Sequence, residues 1–142
     1  MDWMDPEDPR WKPLLDAAWE AWSRAHAPYS GFQVGAALLT AAGEVVGGCN
    51  VENASYPMCI CAERTAVCAA VARGLRPGAL VALAVVTEAP TLTPPCGACR
   101  QVLAEFAEDL PILLANRTGH ACRTLGALLP EAFRGSHFRP PS

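Results

Sequence analysis

Leu80 to Thr87 reads "LVALAVVT", apolar at every position but the last. A strand with one wet face alternates polar and apolar residues, whereas an unbroken apolar run of this length fits a strand covered on both faces. Such a strand needs a layer on each side. Upstream, "AERTAVCAAVAR" (62–73) is rich in small helix formers and is stopped by Gly74, which predicts a helix. Downstream, the proline-rich loop "EAPTLTPPC" leads to a second predicted helix over 99–108, then to "PILLA" (111–115), an apolar strand. "NRTG" is a turn into a weaker strand near "HACRT", and Thr124 is a candidate cap for a short helix over 125–129.

The same reading extends toward the N-terminus. "FQVGAALLT" and "EVVGGCNVE" are two strands joined through Ala41, Ala42 and Gly43, a predicted hairpin. Ahead of them Trp11, Leu14, Leu15, Ala18, Trp19 and Trp22 recur at helical spacing, with Asp8-Pro9 as cap and first-turn residue. That stripe is read as core or subunit contact. The expected fold is α/β, a central sheet with helices packed on its faces. One domain is expected over residues 1–142, with 1–10 and 135–142 as flexible ends.

Composition excludes several functions. The chain has 142 residues, a formal net charge of −3, 51% hydrophobic and 18% charged residues. That is a globular composition, and no basic block advertises a nucleic-acid surface. No apolar run approaches the ~20 residues that span a bilayer, and the acidic, proline-broken N-terminus is no signal peptide. A reducing, cytoplasmic compartment follows as the expectation, in which the seven cysteines serve metal or chemistry more readily than disulfides.

Three of these cysteines stand apart. "PCGAC" puts Cys96 and Cys99 at C-x-x-C spacing, and Cys61 lies across the buried strand in "CICAERTAV". Both groups fall at predicted helix starts, where the dipole and free backbone N–H groups favour thiolate, the form that binds Zn²⁺. Glu63 separates a structural from a catalytic reading. With Cys61 at a non-helical cap, the glutamate in the first turn faces the metal's open side. Three protein ligands with one free position make a catalytic site, in which a carboxylate can move protons. The competing arrangement adds Cys59 as a fourth thiolate and closes the site into a structural staple. Cys49, Cys68 and Cys122 are read as small buried hydrophobes, and His26, His120 and His137 as surface or capping residues.

C-x-E followed by P-C-x-x-C is the signature of zinc nucleobase deaminases. With "FQVGAALL", "GCNVENASYP", "CAERTAV" and "PCGACRQVL" in order, the chain from about Ala27 to Phe133 resembles the small cytidine deaminases. The resemblance implies a helix–sheet–helix sandwich with a five-stranded mixed sheet, one zinc per chain on Cys61, Cys96 and Cys99, and a homotetramer. It implies hydrolytic deamination of cytidine and 2′-deoxycytidine in pyrimidine salvage, by zinc-bound hydroxide with Glu63 as proton shuttle. By the same resemblance Arg64 offsets the thiolate charge, Asn50 and Glu52 hold the sugar hydroxyls, and Phe32 stacks near the base. Tyr56 and Phe133 would enter from neighbouring subunits. Cys59 and Gln33 depart from the glycine and proline common at those positions. Two other readings remain at this stage: a deaminase of another aminopyrimidine, and a non-enzymatic zinc-stapled interaction module.

Overall fold

A computed structural model describes residues 2–138. Five strands form one sheet in the order β2-β1-β3-β4-β5. They are β1 (Val34–Thr40), β2 (Val45–Cys49), β3 (Leu80–Thr87), β4 (Pro111–Ala115) and β5 (His120–Thr124). β1 pairs antiparallel with β2 and β3, β3 runs parallel to β4, and β4 pairs antiparallel with β5. The sheet is therefore mixed, and its central strand is the apolar run at 80–87.

Alternation along the inner strands feeds two cores. Ala37, Ala82, Ala84, Val86 and Leu113 pack under α1 (Trp11–Ser23) with Trp11, Leu14 and Ala18. Leu38, Leu83, Val85, Ile112 and Leu114 point the other way. They meet Val67 and Ala70 of α2 (Ala62–Ala72), Leu103 of α3 (Gly97–Phe106) and Leu125 of α4 (Leu125–Leu128). Because successive strand residues face opposite sides, an unbroken apolar run serves both layers at once. This is the helix–sheet–helix sandwich.

Two glycines set how closely the helices approach. A Cβ on Gly35 would lie 2.0 Å from the Ala18 carbonyl oxygen of α1. One on Gly48 would lie 2.4 Å from Ala66 N and 2.7 Å from Ala62 O, in the first turns of α2. Thr65 secures that second contact, its hydroxyl donating to Cys49 O at 2.8 Å.

Several boundaries differ from the sequence expectation. β1 begins at Val34, leaving Phe32 and Gln33 in the preceding loop, where the Gln33 amide donates to Trp22 O at 3.0 Å. β2 ends at Cys49, and Asn50 to Glu52 continue as a separate bridging segment, Val51 pairing with His26 and Ile60. α3 starts at Gly97, because Cys96 rather than Cys99 takes the extended conformation of the N-cap. Asp8 does not cap α1; its carboxylate instead binds the backbone and guanidinium of Arg10. Thr124 caps α4 as expected, accepting from Ala127 N at 3.2 Å. Of the cysteines expected in the core, Cys68 is exposed and Cys49 and Cys122 are half-buried.

The ends carry local structure of their own. Residues 2–10 form consecutive turns against the α1 layer, with Trp3 edge-on to Trp11 at 4.8 Å between ring centroids. Residues 135–138 form a short turn of helix and its cap, Arg134 N donating to His137 Nδ1 at 2.9 Å. The remainder of the tail, 139–142, lies outside the described residues. Among the described residues no helix is long and apolar enough to cross a membrane.

Candidate active site

The N-termini of α2 and α3 carry the chemistry. Cys61 is the N-cap of α2 (φ −74°, ψ 155°) and Cys96 that of α3 (φ −66°, ψ 167°). Both are extended, so their side chains turn ahead of the helices instead of along them. Cys99 follows one turn into α3 and is fully buried. Arg100 fixes the approach to Cys96, its guanidinium donating to Pro95 O and Leu128 O at 2.7 Å each.

These elements bring three sulfurs together from positions 35 residues apart in chain. Cys61 Sγ lies 3.8 Å from Cys96 Sγ, Cys96 Sγ lies 3.5 Å from Cys99 Sγ, and all three are within 4.8 Å of one another. Tetrahedral zinc with Zn–S bonds of about 2.3 Å places its sulfurs about 3.8 Å apart. The cluster fits that ion. Arg64 Nη2 donates to Cys61 Sγ at 3.5 Å, setting a fixed positive charge beside the thiolates. The adjacent Cys99 thiol holds Cys61 down to about 5, with Arg64 and Cys96 adding to the effect, while Cys99 itself is pushed up.

Cys59 stands outside the cluster, so the four-cysteine staple does not form. Its sulfur accepts from Asn53 N at 3.3 Å. Glu63 occupies the first turn of α2 at 5% exposure, and burial, then the neighbouring Cys61 charge, push its carboxyl up to about 7.

Beside this centre the segment 50–52 is held between two others. His26 N donates to Asn50 O, Glu52 N to His26 O, and Val51 exchanges two backbone hydrogen bonds with Ile60. Asn50 is committed to the backbone: Oδ1 accepts from Val34 N and Nδ2 donates to Phe32 O, both at 2.8 Å. One proton on Nδ2 and one acceptor site on Oδ1 remain free. Glu52 accepts from Tyr29 N at 2.9 Å, from Ser30 N at 3.1 Å and from the Ser30 hydroxyl, the last holding its carboxyl below the usual range.

Glu52 opens into a cavity of about 290 Å³ lined also by Tyr29, Ser30, Tyr56 and Cys59. Phe32, 37% exposed, lines a neighbouring cavity of about 320 Å³ with Trp22 and Glu88, and Ser30 borders both. Tyr56 is 68% exposed and packs edge-on to Tyr29. Phe133 is not drawn into either cavity. It is 61% exposed, stacks on His137 at 5.6 Å, and is anchored by Gln101 Nε2 donating to its carbonyl. Tyr29 and Ser30 escaped the sequence reading because nothing local distinguishes them from ordinary turn residues.

Residues 10–113 match the family described as the cytidine and deoxycytidylate deaminase zinc-binding region. The chain belongs to that family. It is 48% identical over 122 residues to the cytidine deaminase of Halalkalibacterium halodurans, covering 84% of this chain and 91% of the relative. Against the cytidine deaminase of Mycobacterium tuberculosis identity is 46% over 126 residues, covering 89% and 91%. The crystal structure of the cytidine deaminase from Burkholderia pseudomallei superposes with a TM-score of 0.82 at 52% identity, over 85% of this chain and 97% of that one. That of the Mycobacterium tuberculosis protein gives 0.74 at 45%, over 89% and 98%. Family membership makes the chain a zinc enzyme, and the three-sulfur cluster is where the ion fits.

Proposed function

We propose that the chain hydrolyses cytidine and 2′-deoxycytidine to uridine and 2′-deoxyuridine, releasing ammonia. The observation that carries this reading is the buried Glu63 carboxyl in the first turn of the helix whose cap, Cys61, joins Cys96 and Cys99 in one sulfur cluster. The names of its relatives support the substrate class.

Cys61, Cys96 and Cys99 would hold one zinc per chain, and the ion when bound would supply an acidified water as nucleophile toward C4 of the base. Glu63 takes the proton that this water gives up and places it on N3 of the pyrimidine. It then carries the second proton to the amino group, which departs as ammonia, so one water is consumed for each ammonia released. Its buried position keeps the carboxyl free of bulk solvent while these protons move. Arg64, donating to Cys61 Sγ, would offset part of the negative charge that three thiolates gather around a dication.

Asn50 and Glu52 take the sugar hydroxyls, and Phe32 flanks the base. Tyr56 and Phe133, both largely exposed in the isolated chain, complete the pocket of a neighbouring subunit in a homotetramer. With Glu52 at the sugar end and no basic cluster beside it, nucleotides and nucleic acid are poor partners. Net charge and cysteine usage fit a cytoplasmic salvage enzyme formed by one domain.

Glu63→Gln tests the assignment. The variant is expected to keep its zinc and its melting temperature while kcat on cytidine falls by at least about three orders of magnitude. Substantial residual turnover with zinc retained would remove Glu63 from the reaction.

A further inference from the structure

The loop from Ala27 to Gln33 carries a side chain that joins the two ends of the proposed nucleoside pocket. Ser30 Oγ has one proton, and it goes to Glu52 Oε2. The same oxygen accepts from Phe32 N at 3.0 Å. A single hydroxyl thus ties the carboxylate assigned to the sugar to the backbone of the ring assigned to the base. Ser30 also borders both cavities, the one that holds Glu52 and the one that holds Phe32.

Counting acceptor sites sharpens this. A carboxylate offers about four. Ser30 Oγ, Ser30 N and Tyr29 N occupy three of those on Glu52, across 22 or 23 residues of sequence. What remains is one direction in which Glu52 can accept a hydroxyl, and Ser30 sets it. We propose, resting on the reading of Glu52 as a sugar contact, that Ser30 is the positioning residue that fixes Glu52 to accept one sugar hydroxyl, and so sets discrimination for the sugar. An ordinary turn serine would bond only within its own turn, whereas this one spends its proton on a carboxylate 22 residues away.

The test compares cytidine with 2′,3′-dideoxycytidine, which keeps the base and lacks both ring hydroxyls. In Ser30→Ala, KM for cytidine is expected to rise about tenfold with kcat largely kept, while kcat/KM for the dideoxy substrate changes little. The cytidine-to-dideoxycytidine ratio should collapse toward that of Glu52→Gln. Ser30→Thr, which keeps the hydroxyl, should restore it, and Ser30→Ala added to Glu52→Gln should cost little more. Should the alanine variant fold poorly, Ser30→Cys, similar in size with a weak donor, is expected to show the same selective loss. Zinc content and melting temperature accompany each variant.

Equal losses on both substrates would reduce Ser30 to a fold residue and overturn the proposal. So would an unchanged ratio in Ser30→Ala while Glu52→Gln collapses it. If Glu52→Gln itself leaves the ratio unchanged, the sugar-clamp reading fails, and the role of Ser30 with it.

Discussion

Gly48→Ala changes no catalytic group, yet it should damage the site. The added Cβ would lie 2.4 Å from Ala66 N, 2.5 Å from Thr65 Oγ1 and 2.7 Å from Ala62 O. Ordinary contact begins at 3.4 Å, and two of these atoms are backbone that cannot rotate aside. The start of α2 must therefore retreat from β2 by about 1 Å, and overpacking of this kind costs about 1–3 kcal/mol. For a domain of this size that corresponds to a fall in Tm of roughly 3–10 °C. The retreating turn carries Cys61, Glu63 and Arg64, and misplacing reacting groups by about 1 Å costs on the order of a hundredfold in rate.

Gly47 supplies the control. A Cβ there meets nothing nearer than 3.5 Å, so Gly47→Ala should leave Tm and kcat/KM nearly unchanged. The assays are thermal unfolding, bound zinc and kcat/KM on cytidine for both variants. Two results would refute the reasoning. One is equal behaviour of the two alanines. The other is a Gly48→Ala protein that loses stability but keeps full activity, which would mean that the edge strand yields and the helix does not.

Four further outcomes are expected. Chelation should remove zinc, activity and part of the thermal stability together, and added zinc should return all three. Cys99→Ser should bind zinc far more weakly, as metal titration would show. Phe133→Ala should raise KM for cytidine with little change in Tm, since the ring is largely exposed in the single chain; an unchanged KM would detach it from any pocket. The Asp8 carboxyl is held down to about 2 by its hydrogen bonds from Arg10, a folded-state pKa below its ordinary 3.8. The stability it adds is complete above about pH 4 and disappears as pH falls toward 2. Denaturant melts should therefore show wild type and Asp8→Asn separated at pH 5 and converging below pH 3.

Strands were legible where burial dictated their composition. The runs 80–87 and 111–115 keep in the fold the limits that the sequence predicts, because apolar residues bounded by proline and turn signals admit few alternatives; 120–124, polar and partly exposed, is legible only as a weaker strand after a turn. Helix starts were harder. Asp8 resembles a cap, but the chain is already turning at Arg10, whose helical dihedrals leave Asp8 to hold the preceding turn. At α3 the C-x-x-C spacing drew attention to its second cysteine, whereas the first has the extended geometry of a cap. The three sulfurs could be read because a metal site demands specific residue types at restricted spacings. Ser30 could not, since its contact with Glu52 exists only after the chain has folded. Cys68 was misplaced because thiols are usually buried, and the outer face of α2 is an exception.

The path from Cys61 to Cys96 contains all of α2 and β3. In the folded chain these sulfurs meet across the central strand, which pairs with β1. An ion held by them would act as a clasp on a loop of 35 residues. In the chain-entropy picture, closing such a loop removes roughly 3–4 kcal/mol of freedom from the denatured ensemble. A chain stripped of its ion is therefore expected to be less stable as well as inactive.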